Sequence, residues 1–370
     1  MNMSAALFLV ALTATQALTP DPSRLVAMAR SGQGAEAWRI WKALPPSADR
    51  TRTGVLLSAA TGDIAGGVSL YSELTKQTNR DDPQALAALA TSAAASLAGA
   101  SSTDVRVGAC GVALHGGISL PPCEKLMTEL LNPAIPLDVR AVAIYRLANA
   151  GWRPWPEFFV TYHDQLDPAT RLLIATEFTR LPASERIDLL TPIFTQDSNR
   201  SRIMSAVSLL GDIPGPEAAD LLKRLNASDL TVDVRLSVAV ALARHGDADS
   251  VRFLQEARGN IMGPRAVDIG VVLALAGSPY GPNLERVVEI TTGADRGRLA
   301  LMLSRQRPEL AQSAIAEMLA DPAIEVQHAA LKSAAAIGLG LTPLVYEKLG
   351  NTTPEIRLAA ALAVLQTTGN

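Results

Sequence analysis

An arginine recurs every 30–34 residues through the last two-thirds of the chain: Arg106, Arg140, Arg171, Arg202, Arg235, Arg265 and Arg296, then Gln327 in the same phase, then Arg357. Several copies share a three-residue word, an acid, a branched aliphatic and the cation: residues 104–106, 138–140, 233–235 and 355–357, with Glu325, Val326 and Gln327 as a variant. A fixed period of this length is the mark of a stacked repeat array, in which each unit contacts its neighbours and no single central core exists. A 370-residue chain built this way escapes the usual arithmetic of length against domain number.

Within a copy the apolar positions have a helical spacing. Val234, Val238, Ala241 and Leu242 stand at i, i+4, i+7 and i+8, and Ile356, Ala360, Ala363 and Val364 repeat those offsets. About ten residues past each anchor comes a glycine (Gly116, Gly151, Gly211, Gly246, Gly277, Gly338), with prolines clustered beyond it. Glycine closing one helix and proline opening the next predicts a helix–turn–helix unit. Composition agrees: 48% of residues are apolar but only 4% are aromatic, and alanine and leucine dominate, which suits close helix packing better than strands. The acid at the start of each first helix faces the positive end of the helix dipole. The arginine two places on is expected to reach carboxylates or carbonyls of an adjacent repeat and tie the stack together, a structural role.

These words, the alanine-rich first helix and the Gly-then-Pro turn resemble the HEAT repeats, especially the short HEAT-like repeats of the phycobilisome-lyase type. The resemblance covers residues 102 to about 367. It implies an all-α fold, a right-handed α-solenoid whose inner face is built from the second helices. The function it implies is that of a scaffold or adaptor that binds other proteins. An enzyme-associated factor of the lyase kind, holding a small molecule or a client chain, is the other reading.

Three segments follow. Residues 1–17 carry an uncharged apolar run from Ala5 to Ala14 with small residues after it, read either as a signal peptide, although no cation precedes Arg24, or as a short N-terminal helix. Export would place the chain in the periplasm or outside the cell; without it the chain is cytoplasmic. Residues 18–101 predict helices at 23–31, 35–43, 50–61, 64–77 and 83–99, with a degenerate tetratricopeptide-like stretch around Leu56–Asp63. This region is expected to cap one end of the array formed by residues 102–370, and the helix from Glu355 to Thr367 to cap the other. Cys110 and Cys123 are the only cysteines and flank a predicted turn. They are read as a disulfide across the hairpin in an oxidising compartment, or as two small buried thiols.

Signals for chemistry are few. The sequence has no H-E-x-x-H, C-x-x-C, P-loop or G-x-S-x-G motif, so no catalytic, cofactor or metal residue is assigned and the chain is read as non-enzymatic. A net charge of −3, with acids and bases interleaved on the second helices, offers no phosphate track and argues against nucleic acid. No run is long enough to span a membrane. His115 and His245 are expected as solvated turn residues, and Glu185, Asp188, Glu217 and Asp220 as exposed acids. One local departure is aromatic: six of fifteen aromatics fall between residues 145 and 162. Trp152, Trp155 and Phe158 are candidates for anchoring a partner protein, or else they fill a wider gap between repeats.

Overall fold

The computed structural model describes residues 21–369, apart from 119, 153–157, 159–160, 178–180, 229, 261–263 and most of 277–306. The described residues are helical, with no strand among them. In the N-terminal region α1 (Pro22–Met28), α2 (Gly34–Ala43), α3 (Ala48–Thr61), α4 (Ile64–Thr78) and α5 (Pro83–Ala95) follow the predicted segments closely. Side-chain caps start α3, α4 and α5: Ser47, Asp63 and Asp82 each accept the backbone N–H three residues on.

The first helices, which carry the ladder positions, are α6 (Thr103–His115), α8 (Leu137–Asn149), α9 (Pro168–Glu177), α11 (Arg200–Asp212), α13 (Val232–Arg244), α15 (Pro264–Leu275), α17 (Ile324–Ala336, with Gln327) and α18 (Pro354–Thr368). Their second helices include α7 (Pro121–Leu130), α10 (Ala183–Leu190), α12 (Pro216–Asn226), α14 (Ala248–Ala257) and α16 (Pro308–Leu319). Consecutive first helices lie side by side: α6 on α8, α8 on α9, α9 on α11, α11 on α13, and α13 on α15. Every residue of the predicted stripes at Val234 and Ile356 is buried. Each buried leucine or valine in such a stripe contributes about 1.5–3 kcal/mol.

The repeat ends as a left-handed glycine requires. Gly117, Gly151, Gly246 and Gly338 all have positive φ, between 72° and 105°. The following residue returns its N–H to the last turn: Ile118 to Ala113, Trp152 to Leu147, Asp247 to Leu242 and Leu339 to Ala334. Gly211 is an exception to its sequence reading. It lies inside α11 and stops nothing; a Cβ there would come within 3.0 Å of Ala241 on α13, so its role is close helix approach.

The two ends of the array meet, which the repeat pattern did not foretell. Helix α18 packs against α17 on one side and against both α5 and α6 on the other. A second helix elsewhere sits between two first helices, as α12 does between α11 and α13. Helix α5 takes that place between α18 and α6, so the last repeat is completed by a helix from the N-terminal region. The predicted polar cap at the far end is therefore corrected. Ile356, Leu358, Ala360, Ala361, Ala363, Val364 and Leu365 are all buried, because α18 is covered from several directions. The short helix Pro343–Tyr346 packs on α18, and the 3-10 turn Glu347–Gly350 packs on α4, α5 and α18 at the seam. There Tyr346 meets Tyr71 edge-on at 5.1 Å, and its hydroxyl lies 3.2 Å from that of Ser72.

Candidate functional site

The ladder residues come first, because their geometry decides whether they form a site. In an α-helix the Cα–Cβ bond leans toward the N-terminus, so a long side chain near the start reaches back over the first turn. Arg140 Nε accordingly donates to the Ile135 carbonyl (3.0 Å) and Arg171 Nε to the Leu166 carbonyl (2.9 Å). Arg202 holds the Asp197 carboxylate through Nε and Nη2, and Arg357 donates twice to the Asn351 carbonyl. Gln327 keeps the same bond, Nε2 to the Asp321 carbonyl at 2.7 Å, which explains why glutamine can stand in. The position needs a long donor more than it needs a charge.

Two members differ. Arg106 and Arg296 reach second helices, pairing with Glu129 on α7 and Glu317 on α16. Arg235 is exposed, and the Arg265 side chain lies outside the described residues. The bonds to neighbouring repeats expected of the ladder are made by other residues instead, notably by the acids of the repeated word. Asp104 pairs with Arg146 of the next repeat, and Asp233 with Arg200 of the preceding one. Asp138 faces Asp167 across the α8–α9 junction; desolvation first, then the Asp167 charge, pushes its carboxyl up.

The aromatic candidates separate in the same way. Trp152 is half-buried against the core at the position after the helix-closing glycine, the one that Ile118 and Leu339 occupy in other repeats. Phe158 is buried, its ring 4.8 Å from Tyr162, and the buried Arg140 guanidinium lies over both rings. Of the two alternatives for the aromatics, the burial of Phe158 agrees with filling space between repeats. Trp155 lies outside the described residues. Cys110 and Cys123 are bonded to each other, both buried, and join α6 to α7.

Two further sequence readings change. His245 is half-buried at its turn and its Nε2 lies 3.0 Å from the Leu210 carbonyl of the preceding repeat. Glu185 is half-buried too; desolvation and the neighbouring Asp188 charge push its carboxyl up.

The surface left over is a trough of about 890 Å³. It is lined only by first helices: Leu172, Leu173 and Thr176 from α9, Ser201, Met204, Ser205, Ser208 and Leu209 from α11, Leu236, Ser237 and Val240 from α13, and Ile269 from α15. The trough is thus lined by first helices, whereas the resemblance implied an inner face built from the second. On α11 the reason is visible in the sequence: Ala206, Val207 and Leu210 take the core side, and the serines at 201, 205 and 208 fall on the opposite one. Leu173 is the most open apolar residue here, 40% exposed.

Charge in the trough is cancelled within it. Arg244 pairs with Asp212 at 3.1 Å, and Arg202 with Asp197, whose carboxyl those hydrogen bonds hold below the ordinary carboxylate range. The hydroxyls of Thr176 and Ser237 are bonded back to their own helices. Among the described residues no group of three His, Cys, Asp or Glu could hold a metal ion, and no helix is long and apolar enough to cross a membrane. No family model and no curated protein sequence matches this chain.

Proposed function

We propose that this protein is a HEAT-like repeat scaffold that binds another protein in the trough of its first helices. The observation that carries the reading is the lining: a largely half-buried apolar and hydroxyl surface drawn from four helices, with Leu173 exposed in it and the trough arginines Arg202 and Arg244 paired with carboxylates. A catalytic or small-molecule site needs a few polar groups aimed at one point. A broad, neutral, partly apolar surface suits a macromolecular partner. The lyase-like alternative draws no support from such a lining.

The buried Cys110–Cys123 bond supports reading the chain as exported, since disulfides persist in oxidising compartments. Mass spectrometry of the mature protein is expected to find a chain starting after residue 17; a chain starting at Met1 would contradict export. For the binding reading, a photo-crosslinking residue at Ser205 in cells of the native host is expected to trap a protein partner. One placed at the exposed Glu217, on the second helix α12 and outside the trough lining, is expected to trap none. Equal trapping at both positions would place the contact surface elsewhere.

A further inference from the structure

We infer that the joint between α8 and α9 is closed by a proton: Asp138, as an acid, donates to the Asp167 carboxylate of the next repeat, so the joint is firm in acid and loosens as pH rises. The repeated word gives the first reason. Where its acid reaches a neighbouring repeat elsewhere it meets an arginine, as Asp104 meets Arg146 and Asp233 meets Arg200. Asp138 holds the same place in its word but has a carboxyl opposite, lying in hydrogen-bond contact with Asp167 and with the Thr170 hydroxyl.

An ionised carboxylate only accepts, so two carboxyls in hydrogen-bond contact need a proton between them. The Thr170 hydroxyl does not supply it, because its single proton is engaged by Asp167 Oδ2 at 2.7 Å. Asp167 caps α9 and also accepts from the backbone N–H groups of Ala169 (2.8 Å) and Thr170 (3.0 Å), a setting that suits a full negative charge. Asp138 is therefore the member that carries the proton. The electrostatics agree. Desolvation, then the Asp167 charge, push the Asp138 carboxyl up; burial works against Asp167, but the bonds from Thr170 and Ala169 hold its carboxyl down.

The surrounding cations are engaged elsewhere. On α9 itself Arg171 is drawn to Asp167 but donates to the Leu166 carbonyl and faces Asp164, Tyr145 and His163. From α11, Arg202 is drawn to Asp167 while it holds Asp197. On the α6 and α7 side Arg146 is paired with Asp104, and Arg106 and Lys125 with Glu129. Arg140 donates to the Ile135 carbonyl and lies over Phe158 and Tyr162. The folded chain thus holds the Asp138 proton more readily than the unfolded chain. The stability this contributes is complete below the ordinary carboxylate value and is lost as pH rises through the raised one, where two like charges face each other across the joint.

The test measures the unfolding equilibrium constant of the full chain by urea titration between pH 3 and pH 8. Asp138→Asn removes the charge while its amide keeps the donated bond at every pH. Asp138→Ser, neutral and smaller, is the second variant, and since Asp138 is exposed both are expected to keep the circular dichroism of the parent. At pH 7.5 the parent is expected to have an unfolding constant about threefold higher than either variant, and at pH 3 to match them. In an Asp167→Asn chain, where the partner charge is gone, Asp138→Asn is expected not to lower the constant at either pH. Asp233→Asn, which breaks an ion pair, is expected not to lower it either.

Parallel pH profiles for the parent and both variants, or a higher constant in the variants at pH 7.5, overturn the proton-closed joint. A gain from Asp138→Asn that persists in the Asp167→Asn chain overturns it too, since the repulsion relieved would then come from another group.

Discussion

Two junctions between first helices of the same arginine ladder handle their surfaces differently. Between α11 and α13 the contact is apolar at its centre and ionic at its rim, with Arg200–Asp233 and Arg244–Asp212 bridging the repeats, and its inner face stays open as the trough. At the α18–α6 junction no ion pair crosses among the described residues. Leu358 and Leu365 press against Gly108 and Gly116, and α5 covers the pair. Where the array must close, apolar surface is hidden; where a partner is proposed to dock, some of it is left exposed. An ordinary solenoid solves the end problem with polar caps. Here each end covers the other.

The largest expected effect breaks the closed junction. Val364→Asp places a carboxylate at a fully buried position of α18 and is expected to cost of order 3–5 kcal/mol. Urea titration followed by circular dichroism at 222 nm should show the whole chain losing stability, and not one frayed helix. Next is the disulfide. Cys110→Ser with Cys123→Ser removes a bond between residues 13 apart in sequence, and a loop of that size implies a loss of about 3 kcal/mol. Gly340→Ala follows, because its Cβ would collide with the Ala363 carbonyl oxygen; a loss of about 1–3 kcal/mol is expected in the same titration.

Smaller effects sharpen the account of the ladder. Arg357→Met should cost about 1 kcal/mol through the lost bonds to Asn351, while Arg357→Gln, which imitates Gln327, should recover most of it. Equal losses for the two would contradict the claim that the ladder supplies donors to the loop before each helix. The smallest effect concerns the Asp138–Asp167 pair. The folded state holds the Asp138 proton more readily than the unfolded chain does, so its repulsion with Asp167 is absent at low pH and grows as pH rises through the raised folded value. Asp138→Asn is therefore expected to raise the melting temperature slightly at pH 7 and to leave it unchanged at pH 3. Destabilisation at pH 7 would refute this reading.

Most of the helices were legible in the sequence because period and punctuation act locally. The stripe at Val234, the glycines at 151, 246 and 338 and the N-terminal segments all depend on residues within a turn or two. Contacts across repeats were not legible. Nothing in the Asp-Val-Arg word says that the arginine turns back on its own loop and that the acid reaches the neighbour. The tilt of the Cβ bond predicts the first; only the three-dimensional stacking gives the second. Trp152 drew notice for its size, and the structure sets it half-buried against the core just after a helix-closing glycine. The trough lacked any chemical signature, being built mostly of serines and half-buried apolar residues of the first helices. Closure was hidden because α5 carries no ladder arginine and lies more than 250 residues from α18 in sequence.

The central claim is that α5 and α18 together make the last repeat and bind the ends of the array into one cooperative unit. Native-state hydrogen exchange read by mass spectrometry tests it most directly, by comparing amides of α18 with those of α13 in the middle of the array. The account predicts that α5, α6, α13 and α18 exchange with the same opening free energy, and that Val364→Asp lowers it for all four together. Fast, independent exchange of α18, with α5 and α6 protected as before, would contradict it.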